Sequence, residues 1–458
     1  MKLSTYQHVT DSHVPWLGQI PSHWHVTRLK WSVAGCWNGV WGDEPDEVND
    51  VVCVRVADFD RDKLTVSSSG LTLRAVERDQ FESRKLRRGD LLIEKSGGGE
   101  KQLVGCVVHF DHEFDAVCSN FVARMPVVKD LDAKYWCYTH AALYAGRLNY
   151  PAIKQTTGIQ NLDASEYFNT LVAYPPVPEQ RQIAAFLDWK TGQIDALIAR
   201  KKALLEKLKE KRTAVITQAV TKGLNPAAPM RDSGIPWLGQ VPEHWEVKRL
   251  RRFVSRIEQG WSPQCDNSVA MPDEWGVVKA GCCNGGRFDP DENKALPSDN
   301  DAPENLEIKS GDLLMSRASG SEELIGSAAL VPPGVREKLL LSDKIYRLQC
   351  DDAAAIPAFV ALAIQSPVGR YQIQAVISGA FGLARNIAQS DVKDLMFAVP
   401  PISEQFAIVS YLNCEIDQLN RMAVKVESAI DRLFEYRAAL ITAATTGKID
   451  VRNVAVPA

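Results

Sequence analysis

The chain of 458 residues is long enough for about three domains at roughly 150 residues each, and an apolar share of 45% excludes an intrinsically disordered polypeptide. No run of about 18 apolar residues is present, and the opening Met1-Lys2-Leu3-Ser4-Thr5 lacks a signal-peptide core, so a cytoplasmic protein is expected. A formal net charge of −4 argues against a uniformly basic nucleic-acid binder and leaves phosphate contact to local basic faces.

The first marker is Asp11-Ser12 through Pro15-Trp16-Leu17-Gly18 to Pro21 and Trp24. It returns with the same internal spacing as Asp232-Ser233, Pro236-Trp237-Leu238-Gly239, Pro242 and Trp245. Strict repetition of both tryptophan pairs between otherwise divergent segments points to structural packing rather than base stacking. An acidic cluster, Asp43, Glu44, Asp46, Glu47 and Asp50, follows the first marker, then a basic stretch, Arg74, Arg78, Arg84, Lys85, Arg87 and Arg88. The second half has its own acidic cluster around Asp289, Asp291, Glu292, Asp299, Asp301, Glu304 and Glu307. Acidic loops suit a protein partner and basic faces suit phosphate, although either is also an ordinary solvated face.

Arg88-Gly89-Asp90-Leu91-Leu92-Ile93 reads as a turn and a buried strand and matches Ser310-Gly311-Asp312-Leu313-Leu314-Met315. A polar loop of small residues follows each, Lys95-Ser96-Gly97-Gly98-Gly99-Glu100-Lys101 in one copy and Arg317-Ala318-Ser319-Gly320-Ser321 in the other. Farther on, Lys154, Thr156, Thr157, Gln160 and Asn161 stand opposite Ser378-Gly379-Ala380-Phe381-Gly382 and then Arg385-Asn386, with Asn161 and Asn386 separated by 225 positions. The DNA-binding candidates are therefore Lys95, Ser96, Gly97, Gly98, Lys101, Lys154, Thr156, Thr157, Gln160 and Asn161 in the first copy. In the second they are Arg317, Ser319, Ser321, Arg385 and Asn386. Lys and Arg suit phosphate or guanine, Asn and Gln suit adenine, and glycine amides can approach a phosphate closely.

Pro175-Pro176-Val177-Pro178-Glu179-Gln180 and Pro400-Pro401-Ile402-Ser403-Glu404-Gln405 each open a long proline-free stretch with heptad spacing. Leu187, Ile194, Lys201, Leu208 and Val215 recur every seventh residue, interleaved with Thr191, Ile198, Leu205, Arg212 and Ala219. Adding 225 to each gives Leu412, Leu419, Val426, Leu433 and Leu440, interleaved with Ile416, Ala423, Ile430, Arg437 and Ala444. The apolar seam comprises Leu187, Ile194, Ile198, Leu205, Leu208, Val215, Leu412, Leu419, Val426, Ile430, Leu433 and Leu440, and 3.5-residue spacing keeps such a stripe on a partner helix. Left open, either stripe would expose a long apolar patch. Helix one delivers the chain to the second copy and helix two starts from that copy, so an antiparallel pair is predicted. A span from Leu187 to Ala219 is roughly 50 Å at 1.5 Å per residue, about one and a half turns of B-DNA.

The expected organisation is α+β with internal pseudo-two-fold symmetry: a mixed globular domain over 1–178, a spacer helix over 179–222, a linker over 223–231, a second globular domain over 232–403 and a second spacer helix over 404–450. Two copies of one unit in one chain imitate a homodimer, a shape suited to duplex DNA.

Catalytic motifs do not emerge. Both Pro-Pro pairs lack the Asn/Asp-Pro-Pro-aromatic tetrapeptide of amino-methyltransferases, being preceded by Tyr174 or Val399. The Gly97 loop lacks P-loop spacing. Asp90, Glu94 and Lys95 resemble a metal nuclease only weakly, because the other copy offers Asp312, Ser316 and Arg317. Eight histidines give no HxxxH pair, although His23 and His25 flank Trp24, so no metal site is expected. Ten cysteines include no CxxC pair, and Cys414 aligns with Trp189, so reduced, mostly buried thiols are expected.

The duplicated DSxxPWLGxxPxHW, GDLL and Pro-Pro-x-x-Glu-Gln markers together resemble the specificity subunit of type I restriction-modification enzymes, over essentially the whole chain. The resemblance implies two target-recognition domains reading the halves of a split asymmetric DNA site, with the helix pair as a ruler. It also implies docking of DNA adenine methyltransferase (modification) subunits and restriction motor-nuclease subunits, two of each, with S-adenosylmethionine on the former, ATP and Mg2+ on the latter, and no cofactor or catalysis on this chain. A non-catalytic coiled-coil scaffold that spaces two protein partners without reading DNA is the alternative.

Overall fold

The structure, a computed structural model, describes residues 4–98, 102–156, 158–377 and 385–457. It divides into two compact units, Met1–Lys202 with Glu427–Ala458 and Ala203–Val426. Each unit is of mixed helix and sheet, and each holds half of both long helices, Val177–Lys222 and Ile402–Thr445.

In the first unit a six-stranded sheet runs in the order Trp37–Asn38, Val122–Met125, Leu91–Glu94, Val107–His109, Thr65–Val66, Phe59–Asp60. A three-stranded sheet places Asp50–Val54 between Ala116–Cys118, which it meets parallel, and Thr72–Ala75, which it meets antiparallel. The second unit repeats this plan with Val254–Gln259, Ile345–Cys350, Leu313–Ser316 and Ala328–Leu330 in one sheet. Its smaller sheet again has a parallel pair, Gly276–Val278 with Leu339–Leu340, and an antiparallel pair, with Asn293–Ala295. Leu91-Leu92-Ile93 and Leu313-Leu314-Met315 are buried on both faces, which is why each reads as a continuous apolar run rather than an alternating one.

The aspartate of each Gly-Asp turn does more than end a loop. Asp90 Oδ2 accepts the Arg87 N–H at 2.6 Å and Arg124 Nε at 2.6 Å, and Asp312 Oδ2 accepts the Lys309 N–H at 2.9 Å and Arg347 Nη1 at 3.1 Å. Arg124 and Arg347 come from the neighbouring strand, so the pair fixes strand register in both copies. Glu94 is taken by Arg61 at 2.7 Å, and burial pushes its carboxyl above the usual range despite that cation.

The two recurrent markers touch each other. Glu179 in the first turn of the first long helix accepts Tyr6 Oη at 2.6 Å and Trp24 Nε1 at 3.1 Å, and its other oxygen lies 2.7 Å from His23 Nε2. Glu404 repeats this with His244 Nε2 at 2.8 Å and Trp245 Nε1 at 3.1 Å. The adjoining glutamines clamp the preceding chain: Gln180 donates to Pro175 O and accepts from the Asp132 N–H, while Gln405 donates to Pro400 O and accepts from the Ile356 N–H. Trp24 and Trp245 are 4% and 1% exposed, so they pack as the repetition indicated. Burying one indole of about 200 Å² contributes about 5 kcal/mol at 25 cal/mol/Å².

The long helices are core elements rather than bare struts. Ile216, Ala219 and Val220 from the first and Ile408 and Leu412 from the second join Trp245, Phe253, Tyr346 and Phe359 in the core of the second unit. Within the first unit Gln182 Nε2 donates to Val451 O and Val454 O, and Asp195 meets Arg437, so rising numbers in one segment oppose falling numbers in the other. The second unit repeats the sense, with Gly223 beside Glu404 and Val215 against the core that holds Leu412. The two helix segments in each unit are therefore antiparallel.

The second helix stops at Thr445, short of the expected 450. Lys448 N–H donates to Ala443 O at 2.8 Å and Gly447 N–H to Ala444 O, a Schellman closure that requires the left-handed φ of +68° at Gly447. A Cβ there would also run into Pro21. The chain then docks on its own beginning: Asp450 N–H donates to Ser4 O at 2.8 Å, Lys448 Nζ donates to Leu17 O at 2.6 Å, and the Arg452 guanidinium lies 5.0 Å from the Tyr6 ring. All ten cysteines are free, with Cys53, Cys106, Cys118, Cys137, Cys282 and Cys283 buried.

Glu179→Ala strands three donors and is expected to cost about 3 kcal/mol, whereas Glu404→Ala strands two, is more exposed, and is expected to cost about 1–2 kcal/mol. Calorimetric unfolding of both variants checks this; equal losses would remove the distinct contribution assigned to Tyr6.

Candidate nucleic-acid interface

The loop after the first buried strand does not stay a loop. Ser96 and Gly97 form a short strand that pairs antiparallel with Asn161 and Gln160, which in turn pair with Lys154 and Gln155. The second copy repeats the bridge with Ala318 opposite Asn386 and Ser319 opposite Arg385. Matching carbonyls hold both bridges: Leu162 N–H donates to Lys95 O and Ile387 N–H to Arg317 O. Candidates distant in sequence thus share one ladder in each unit.

Their side chains divide sharply. Asn161 is exposed and accepts the Ser96 hydroxyl at 2.6 Å, and Lys95 Nζ meets Asn38 Oδ1 at 3.0 Å, a neutral partner that leaves its charge available. Lys154 is exposed but ion-paired with Asp163 at 2.6 Å. Gln160 faces inward, 4% exposed, and its amide oxygen accepts the Val104 N–H at 3.2 Å. Its expected part in reading adenine is therefore corrected: a buried amide cannot present its edge to a base, and Gln160 holds the loop instead. Gly97 and Gly98 have φ of +131° and +65°, and a Cβ on Gly98 would lie 2.7 Å from Gln102 O, so glycine is required by the fold there.

Thr156 closes the hairpin opposite Ile159. Lys101 and Thr157, and with them Gly99, Glu100 and Ser378 to Gly382, lie outside the described residues. In the second unit Arg317 Nη1 reaches Asp343 O at 3.4 Å while its Nε is buried without a partner. Ser319 Oγ accepts the Ser321 N–H at 3.2 Å, and Arg385 pairs with Glu322. The basic stretch after the first acidic cluster is largely spent internally: Arg74 on Glu44, Lys85 on Asp115 and Arg88 on Asp111.

Sequence reasoning missed an aromatic surface beside the first ladder. Trp41, Arg55, Phe121 and Ile159 line a concavity of about 520 Å³ with Ser96 and Gly97, and Trp37 stands on the edge strand with 46% exposure. Phe121 is 50% exposed. Gly39 between the tryptophans sits where a Cβ would strike Cys118 O, so Trp37-Asn38-Gly39-Val40-Trp41, a glycine flanked by two aromatic residues, was the available signal. The second unit has the same backbone but other groups. Glu258 opposes Arg347 where Trp37 opposes Arg124, and Lys344 O accepts the Arg317 N–H where Phe121 O accepts that of Lys95.

The seam candidates are all at least half-buried. Leu187, Ile194, Ile198, Leu412, Leu419, Ile430 and Leu440 are buried, and Leu205, Leu208, Val215, Val426 and Leu433 are intermediate. Arg437 is 7% exposed at its seam position and donates from Nε to Asp195 Oδ1 at 3.0 Å.

No family model matches the chain. Among curated proteins it is 24% identical over 375 residues to the type I restriction enzyme EcoKI specificity subunit of Escherichia coli strain K12, covering 80% of this chain and 76% of that one. It is 27% identical over 229 residues to the EcoEI specificity subunit of Escherichia coli, where the match takes in 49% of this chain and only 38% of the relative. Against the putative MjaX specificity subunit of Methanocaldococcus jannaschii it is 22% identical over 446 residues, 95% and 96% of the two chains. The chain is related to type I restriction enzyme specificity subunits. Among solved structures, a chain described under complex assembly and conformational transition of the type I R-M system superposes with a TM-score of 0.67 at 15% identity, covering 94% of this chain and 99% of that one. The HsdS subunit from Thermoanaerobacter tengcongensis gives 0.50 at 14% identity, covering 94% and 98%. These likenesses show that the specificity-subunit fold extends over nearly the whole chain.

Asp195→Ala leaves the Arg437 guanidinium buried without its carboxylate and is expected to destabilise the chain by about 2 kcal/mol, below the 3–5 kcal/mol of a fully buried pair because Asp195 is partly exposed. Chemical denaturation measures it, and an unchanged midpoint would mean that solvent already screens the pair.

Proposed function

We infer that this chain is the DNA sequence-specificity subunit of a type I restriction-modification complex, each globular unit reading half of a split, asymmetric site. One observation carries the reading: a single strand-and-ladder frame occurs twice with unlike groups at matching places, exposed Phe121 in one unit against exposed Lys344 in the other, and exposed Trp37 in one against Glu258, which Arg347 holds, in the other. Shared frames with different faces suit two readers of two different short sequences. In this reading the long helices pair as an antiparallel coiled coil that joins the two target-recognition domains and sets the length of the unread spacer. Methyl transfer, with S-adenosylmethionine, belongs to docked modification subunits; ATP hydrolysis and cleavage, with Mg2+, belong to restriction subunits. The work takes place in the cytoplasm.

Replacement of one globular unit abolishes sequence-selective retention on DNA if the reading holds, and leaves DNA retention unaffected if the chain only spaces protein partners.

Phosphate contact by an unspent cation contributes about one unit to the slope of log affinity against log salt. Lys95→Ala is therefore expected to lower that slope by about 1 in the assembled complex, and Lys154→Ala by clearly less because Asp163 already holds its ammonium. Equal effects in a salt titration would put both lysines on the same footing.

Four residues inserted between Arg200 and Lys201 add about 6 Å of helix, so the tolerated spacer lengthens by one or two base pairs. Methylome sequencing reads the new site; an unaltered motif would rule out the ruler.

A further inference from the structure

The two long helices place an arginine at the same seam position, Arg212 and Arg437, 225 residues apart, yet only one of them is satisfied. Arg437 has Asp195. Adding 225 to 195 gives Asn420, so the mirrored place holds a neutral amide instead of a carboxylate. Arg212 Nε is buried with no hydrogen-bond partner, and among the described residues no carboxylate forms an ion pair with Arg212. Burial first, and Arg287 second, pull this guanidinium below its ordinary pKa, the opposite of what a carboxylate neighbour does.

The surroundings are a recess and not a closed core. Two adjoining clefts of about 390 and 680 Å³ share Arg212, Gly286 and Gln365. The larger is lined by Arg287, Arg421, Lys425 and Asn420, with Asp417 as its one carboxylate, so its charge is positive. All of these residues belong to the second unit. A partly desolvated guanidinium with a spare donor, in a cationic recess, is a site for an oxyanion.

We propose that this recess receives a carboxylate from a partner polypeptide, an aspartate or glutamate side chain that takes against Arg212 the place Asp195 takes against Arg437. The inference rests on the assembly reading above and gives it a location and a chemistry. The internal precedent favours a carboxylate over a nucleic-acid phosphate: the first unit already fills the equivalent place with one. A duplex carries its phosphates on the outside of a stiff rod, whereas a carboxylate on a short stem can enter a recess. In the free subunit the unpaired guanidinium is a cost that assembly relieves.

The test uses the full chain, the modification subunit of the same system and two variants, Arg212→Met and Asn420→Asp. Arg212→Met keeps the aliphatic volume and removes the charge; it is expected to weaken assembly at least about ten-fold by titration calorimetry without lowering the melting temperature of the free chain. Asn420→Asp supplies the missing carboxylate internally, so it raises that melting temperature and also weakens assembly. Wild-type assembly affinity in both variants overturns the proposal, as does loss of DNA affinity by free Arg212→Met with assembly unchanged, which would make the recess a phosphate site. Should Arg212→Met not fold, Asn420→Asp alone decides, since an added internal partner that leaves assembly untouched contradicts an external one. A wild-type chain that assembles with no modification subunit removes the functional reading, and this proposal with it.

Discussion

One carboxylate at the start of each long helix, buried at Glu179 and partly buried at Glu404, holds the architecture together. Glu179 gathers Tyr6, His23 and Trp24, and Glu404 gathers His244 and Trp245, so the N-terminal hairpin of each unit is fastened to the first turn of its helix. A carboxylate as deep as Glu179 would be expensive alone; with charge-capable and neutral donors on its two oxygens it becomes a fixed joint, and Glu404 holds its two donors on one oxygen. The neighbouring glutamine adds a second fastening to the chain just ahead of the helix.

Stability and recognition are assigned to different atoms of the same frame. The Asp90–Arg124 and Asp312–Arg347 pairs, the double-faced apolar strands and the short ladders recur in both units because they define register. The positions hung on that register differ, with exposed Phe121 in one unit where the other has exposed Lys344, and exposed Trp37 where the other has Glu258 paired to Arg347. Register fixes where a side chain stands, and exposure leaves its identity open, so one backbone can support two unlike surfaces.

The seam shows how near-symmetry can carry information. Identical spacing brings an arginine to the same place in both helices, but a single exchange of carboxylate for amide leaves one of the two unsatisfied. Units that share their backbone therefore present unequal electrostatics, a difference invisible in the fold.

The duplication, the two helices and the antiparallel sense of their segments within each unit were legible in sequence, because periodicity, equal spacing and connectivity are properties of the chain itself; that Asn161 and Asn386 join the loops after the buried strands in one ladder was not. Burial decided the rest. Gln160 turns inward although its type suited a base, Lys154 is spent on Asp163 and much of the 74–88 basic stretch on carboxylates far away in sequence, and the Trp37 to Trp41 surface emerges only when strand order brings Phe121 and Ile159 beside it. Composition determines which groups are present and at what period they recur; only packing determines which of them are consumed as partners and which remain to face another molecule.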